Sequence, residues 1–414
     1  PYHTADIRQR EKGNYAKYQE PEAGVYLDNR SYTRQGYGDF LPEDKPWDVW
    51  HRIWPGTNRL LLTGDPALFA GYGREASFCN SLGIDRVDPL SFRGRKGNDY
   101  SSGRCGYADP SLEPKWDYQK FLYTYRMWGR LLYNPETDSD VWMRYLQNIF
   151  GDAALPMQQA MAYATRVIHL MTTAHGAATN CTVYWPEIYN NMPIVNEIVS
   201  HAFQDNPKPY VFGNVEPHDP QLFAKMNDYA KALLKGEEEG KYSPLVVAQW
   251  FDDMANKASR NLLKAEALIE DKNDVEFRRF YYDIKIQSGI ARFFANKMRA
   301  AVLWHVFESS GNSDALVEAI IFYTRGRDAW AKMAEEVKSV YSDDLTFGGG
   351  SYERGHWIDR VPAMDADIAD MKAALAEAGL GGEASGSEMS AQQAINSAKS
   401  PARPVRMDCE HKQP

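Results

Sequence analysis

Between residues 24 and 96 the apolar positions form short runs separated by one helical stripe. Asn58 to Thr63 is an apolar run that ends at Gly64-Asp65-Pro66, after which Leu68, Phe69, Tyr72, Ala76 and Phe78 recur at helical spacing. That pattern predicts a strand, a tight turn and a helix. Pro66 suits the first helical position with Asp65 as N-cap, Gly83 stops the helix, and Ile84 to Leu90 predicts a second strand with Asp88-Pro89 near its end. Strand, helix and strand in this order make a parallel βαβ unit, so both Asp-Pro corners open on one edge of the sheet. Upstream, Gly24 to Asp28 predicts a further strand that runs into a loop carrying Arg30 and Asp39, while residues 1–23 show no clean period.

From Lys115 onward the period changes to that of helices. One face is Phe121, Leu122, Tyr125, Trp128 and Leu132; a second, capped at Asp138 or Ser139 and closed by Gly151, is Val141, Trp142, Tyr145, Leu146 and Ile149. A third helix is predicted from about Pro156 to His175. Asp219-Pro220 and Ser243-Pro244 each combine a cap with a first-turn proline and predict two more starts, the former helix stopping at Gly236. Long helices are predicted over about Asp274 to Ser309 and Ser313 to Tyr341, and a last one over about Met364 to Ala378. Beyond Gly379 the composition falls to Gly, Ala, Ser and Glu, which reads as linker. The expected organisation is α/β over residues 1–110, an all-α domain over 111–380, and a linker with the start of a further segment over 381–414. The whole is predominantly helical.

With 414 residues the chain exceeds the size at which one core keeps growing, which favours two domains. A net charge of -9 without a long basic block argues against nucleic acid as a partner. No run approaches the roughly 18 apolar residues of a membrane span, and the N-terminus carries no secretion signal, so a soluble chain is expected. The compartment is left open, a periplasmic or secreted full-length parent being compatible, and so is the oligomeric state. Cys79, Cys105, Cys181 and Cys409 form no CxxC pair and read as buried thiols. Aromatics reach 13%, a level that fits core filling and also the flat platforms of sugar-binding proteins. The start at Pro1 and the ending after a linker-like stretch lead to the expectation of a fragment.

Candidate chemistry gathers at the predicted strand ends. Cleavage of a glycosidic bond needs a protonated and an ionised carboxylate, and Asp28, Asp39, Asp65 and Asp88 are the carboxylates at these ends or in the loops that follow. Asp65 and Asp88 precede proline, where a structural cap is the stronger reading, whereas Asp28 and Asp39 are freer and are the catalytic candidates. Arg93, Arg95 and Lys96 lie between glycines just past the second strand, where they form either an anion cradle or a solvated loop paired with the helices. His175, Trp185 and Glu187, in the stretch HLMTTAHGAATNCTVYWPEIYNN, combine an imidazole, an indole and a carboxylate in one irregular segment. They either complete a pocket or join two domains. The six-residue spacing of His169 and His175 does not fit a helical metal pair, so no metal is assigned, and no cofactor is expected. The absence of GxSxG, HExxH and GxxxxGK weakens esterase, zinc protease and kinase readings, and Gly71-Tyr72-Gly73 lacks the third glycine of a dinucleotide turn.

The succession LLLTGDP, PLSFRGRKG, YTYRMWGRLLYNPET, TTAH to YWPE and GHWIDRVPAMDADIADM resembles the C-terminal half of the α-glucuronidase family of glycoside hydrolases, over about residues 24 to 378. The resemblance implies the last strands of a (β/α)₈ (TIM) barrel followed by a large helical domain. It implies cleavage of an acidic sugar from an oligosaccharide or polysaccharide, its carboxylate held by basic residues such as Arg30, Arg93, Arg95 and Lys96. The family's acid and base carboxylates fall on strands that would mostly precede this chain, so the chain alone is expected not to hydrolyse glycosides. Two other classes stay open: a non-catalytic helical scaffold, and a polysaccharide lyase using His175 or a tyrosine as base.

Overall fold

The computed structural model describes residues 50–53, 60–77, 80–86, 106–176, 186–198, 208–217, 222–237, 240–347, 353–378 and 388–400. Strand β1 (Trp50–Ile53) and strand β2 (Gly83–Arg86) pair in parallel, Trp50 opposite Gly83 and Ile53 opposite Arg86. Helix α1 (Pro66–Glu75) lies between them in sequence. The parallel strand-helix-strand order is therefore the expected one, but its first strand precedes the apolar run that was read as strand. Among the described residues of that run, 60–63 are irregular, for a reason given below.

The remaining described elements are helical: α2 (Leu122–Leu131), α3 (Asp140–Phe150), α4 (Ala154–Ala174), α5 (Met226–Lys235), α6 (Pro244–Leu268), α7 (Val275–Ser310), α8 (Ser313–Val337), α9 (Val361–Ala378) and α10 (Glu388–Lys399). Local chemistry explains their starts. Ser243 accepts from the Val246 N–H at 3.2 Å with Pro244 in the first turn, Asp274 from Phe277 at 2.8 Å, and Asn312 from Ala315 at 3.0 Å. Gly236 and Gly311 end α5 and α7 in the left-handed conformation. Helix α5 begins after Lys225; Asp219-Pro220, read as its start, lies outside the described residues.

Helix α7 is the axis of the body. It is buried on nearly every side, and α4, α5, α6, α8 and α10 pack on it. Two apolar clusters share it: Phe277, Phe280 and Ile284 belong to one, and Ile286 to Val306 contribute to the other. Helices α4 and α6 also pass through both clusters, α4 in the same sense as α7 and α6 in the opposite sense. The stretch after Gly379, read from composition as linker, contains α10, whose Ala391, Ala394, Ile395 and Ala398 are buried in the larger cluster. Their spacing of three, one and three residues is an apolar helical face made mostly of alanine. No helix of the described residues is long and apolar enough to cross a membrane.

Candidate functional site

Of the sequence-predicted residues that the structure describes, Asp65 and Glu187 meet at the corner Leu60 to Pro66, whereas His175 lies against Phe212. Leu60 and Leu61 sit in the larger cluster and Leu62 in the smaller one, so the corner crosses the boundary between the two halves of the body. Buried backbone groups must be bonded, and here side chains from α2, α4, α7 and the turn at Glu187 do what a neighbouring strand would do in a sheet. Glu187 Oε1 accepts from the N–H groups of Leu60 at 3.0 Å and Leu61 at 2.6 Å. Asp283 Oδ2 accepts from Leu62 at 2.8 Å, Thr124 Oγ1 from Thr63 at 3.3 Å and Thr165 Oγ1 from Gly64 at 3.4 Å. In return Gln287 and Thr124 donate to the carbonyls of Leu62 and Thr63. This is why the run is not a strand: its ladder partners are side chains. A Cβ at Gly64 would lie 2.5 Å from the Tyr123 ring and 2.7 Å from Met161, so the close approach requires glycine.

Asp65 closes the corner. One oxygen caps α1 at the Ala67 N–H, and the carboxylate takes a two-pronged bond from Arg166 on α4, at 2.6 and 3.0 Å. It is buried and fully engaged, which matches the structural reading that the preceding-proline position favours. Glu187 is likewise buried, its carboxylate held by the corner and its backbone carbonyl accepting from the Trp357 indole at 2.6 Å.

His175, at the end of α4, is buried against the Phe212 ring, with its Nε2 2.8 Å from the Phe212 carbonyl. Burial is the first cause that pulls this imidazole from its ordinary value down to about 4. A buried ring engaged in this way gives no support to a lyase base. Asp28, Arg30, Asp39, Asp88, Arg93, Arg95, Lys96 and Trp185 lie outside the described residues, as do the four cysteines. Among the described residues no group of three or more His, Cys, Asp or Glu side chains is placed to hold a metal.

Sequence reading missed two buried charge networks that hold this region. In the first, Lys120 pairs with Asp283 at 3.1 Å and donates to Tyr341 Oη at 2.8 Å, while the Tyr341 hydroxyl donates to Asp283. In the second, Lys297 of α7 donates to Asn191 Oδ1 at 2.6 Å, the Met192 carbonyl at 2.8 Å and Tyr323 Oη at 2.8 Å, with Asp367 of α9 at 3.7 Å. Asp367 in turn accepts from the Ile194 and Val195 N–H groups. Burial draws the Lys297 ammonium down to about 7 and pushes the Asp367 carboxyl up. The available signal was a charge on an apolar face, Lys297 among Phe293, Phe294 and Met298. The first network holds the corner through the Leu62 N–H, and the second pins residues 191–195.

No family model and no curated protein matches this sequence. Among solved structures, the chain is similar to a GH138 enzyme targeting pectin rhamnogalacturonan II, with a TM-score of 0.62 and 13% identity over 80% of this chain and 48% of that one. The fold is similar to that of part of this enzyme. The chain spans about half the length of that enzyme. At this identity the likeness concerns backbone architecture, and the side chains of the corner and its networks come from this sequence alone.

Proposed function

We propose that the chain is the helical body and substrate rim of a glycoside hydrolase of α-glucuronidase type, which releases an acidic sugar from an oligosaccharide or polysaccharide. The observation that carries the reading is the shared fold with an enzyme that targets a pectic polysaccharide. The parallel pair β1 and β2, joined through α1, supports the finer reading that residues 1–110 supply the last strands of a (β/α)₈ barrel. On this reading Asp28 and Asp39 are the catalytic candidates. The well-anchored corner and the 191–195 segment act as supports of that rim.

Arg93, Arg95 and Lys96 then bind the sugar carboxylate. Three positive charges within four residues, on a chain of net charge -9, make a local field that favours an anion against the overall repulsion. A two-pronged Arg to carboxylate pair shielded by Trp185 contributes on the order of 2 to 3 kcal/mol, a roughly thirty- to hundredfold preference over the neutral sugar. The experiment compares Arg93→Ala, Arg95→Ala and Lys96→Ala with the unmodified 414-residue chain, titrating each with methyl glucuronide and methyl glucoside by calorimetry. At least one variant is expected to lose most of the acidic preference. Retention of the full preference in all three removes the loop from the site.

A further inference from the structure

The second buried network brings an amine, an amide and a carboxyl together away from water. Lys297 Nζ, on α7, lies 2.6 Å from Asn191 Oδ1, and the lysine side chain has no exposure to solvent. With a C=O bond of about 1.23 Å, the amide carbon Cγ is then no more than about 3.8 Å from the amine nitrogen, near the ~3–3.5 Å from which a nucleophile attacks. The amide is held on both sides. Tyr323 Oη donates to the same Oδ1 at 2.9 Å and so polarises the carbonyl, while Asn191 Nδ2 donates to the Ala363 carbonyl at 3.3 Å. Burial keeps the Tyr323 phenol well above its ordinary value, so it stays a donor.

A lysine in water is an ammonium and attacks nothing. Here Nζ lies 4.6 to 5.7 Å from the ring centres of Tyr323, Phe212, Tyr189 and Phe293. Asp367 stands beside it at 3.7 Å and is equally buried. Burial disfavours both charges, drawing the amine down to about 7 and pushing the carboxyl up, so a proton passes from Lys297 to Asp367 at little cost. The result is a neutral amine facing a polarised amide, with a carboxylic acid at its side. Desolvation in an apolar pocket is how a lysine becomes a nucleophile.

We propose that Lys297 and Asn191 join in an isopeptide bond that the folded chain makes by itself, with Asp367 as the acid and base. Nζ bonds to Cγ, the Cγ–Nδ2 bond breaks, and one proton from Nζ travels through the Asp367 carboxyl to the departing nitrogen. Ammonia leaves, so the step balances without an oxidant or a co-reactant. The bond replaces a buried ammonium with a neutral amide N–H, which removes the cost of keeping that charge from water. It also ties the 191–195 segment covalently to the axial helix, across 106 positions of sequence. Nothing in this step depends on which sugar the protein acts on.

Intact-mass spectrometry of the purified 414-residue chain tests the bond. The expected mass is lower than that of the sequence by about 17 Da, one molecule of ammonia. A proteolytic digest is expected to contain a branched peptide joining the stretches around Asn191 and Lys297. Lys297→Arg and Asn191→Ala are expected to keep the full mass of their sequences, and so is Asp367→Asn, which retains both reactants. The unmodified chain decides the matter whether or not a variant folds. Its appearance at the full sequence mass, or loss of ammonia without the branched peptide, overturns the proposal. A cross-link that still forms in Asp367→Asn overturns the part given to that carboxyl.

Discussion

Asp283→Ala is expected to destabilise the chain by about 3 to 5 kcal/mol, the range for removing one partner of a buried ion pair. Three groups depend on this carboxylate: the Lys120 ammonium at 3.1 Å, the Tyr341 hydroxyl, and the Leu62 N–H at 2.8 Å. Lys120 is itself buried, so loss of Asp283 removes a paired anion from beside a charge that water cannot reach. The effect is set by the unpairing of Lys120, and replacing both partners with apolar residues tests that. Lys120→Met with Asp283→Leu is expected to recover a large part of the loss, because no buried charge then stands alone. Urea unfolding of the single and double variants measures both quantities. A loss below about 1 kcal/mol in Asp283→Ala contradicts the central place given to this carboxylate.

The second large effect is a loss of stability in mild acid, carried by His175. Its folded-state value lies at about 4, against 6.5 for the unfolded ring, because burial disfavours the imidazolium. The unfolded chain therefore binds a proton in the window between these values and the folded chain does not. Stability from this group is fully present above pH 6.5 and is lost as pH falls toward 4. A shift of this size corresponds to about 3 kcal/mol between neutral pH and pH 4. Carboxylates titrate in the same interval, so the readout is the difference between the unmodified chain and His175→Gln, which lacks the ring. The unmodified chain is expected to lose about 3 kcal/mol more than the variant over that interval. Equal losses show that His175 accepts its proton without leaving its place beside Phe212.

How far these features were legible in the sequence follows from how local their causes are. Caps are set within one helical turn, so Ser243-Pro244, Asp274, Gly151 and Gly236 announced the helix ends where the structure has them. Asp65 was likewise readable as a cap, but its bond to Arg166, a hundred and one positions away, was not. The Leu60 to Thr63 run shows the same limit from the other side. Its apolar pattern is that of a buried strand, yet its hydrogen bonds come from Glu187, Asp283 and Thr124, which no local window contains. Helix α10 was hidden differently: its buried face is mostly alanine, and a composition reading counts alanine with glycine and serine as linker. The buried Lys297 was visible as a charge on an apolar stripe, although its partners Asn191 and Asp367 were not identifiable from spacing.

The most direct test of the functional account is calorimetric titration of the chain with an acidic pectic oligosaccharide and with the same oligosaccharide after reduction of its carboxyl groups. The account predicts that the acidic form binds roughly thirty- to hundredfold more tightly and that Arg93→Ala, Arg95→Ala or Lys96→Ala reduces this ratio. Equal affinity for the two forms would contradict it.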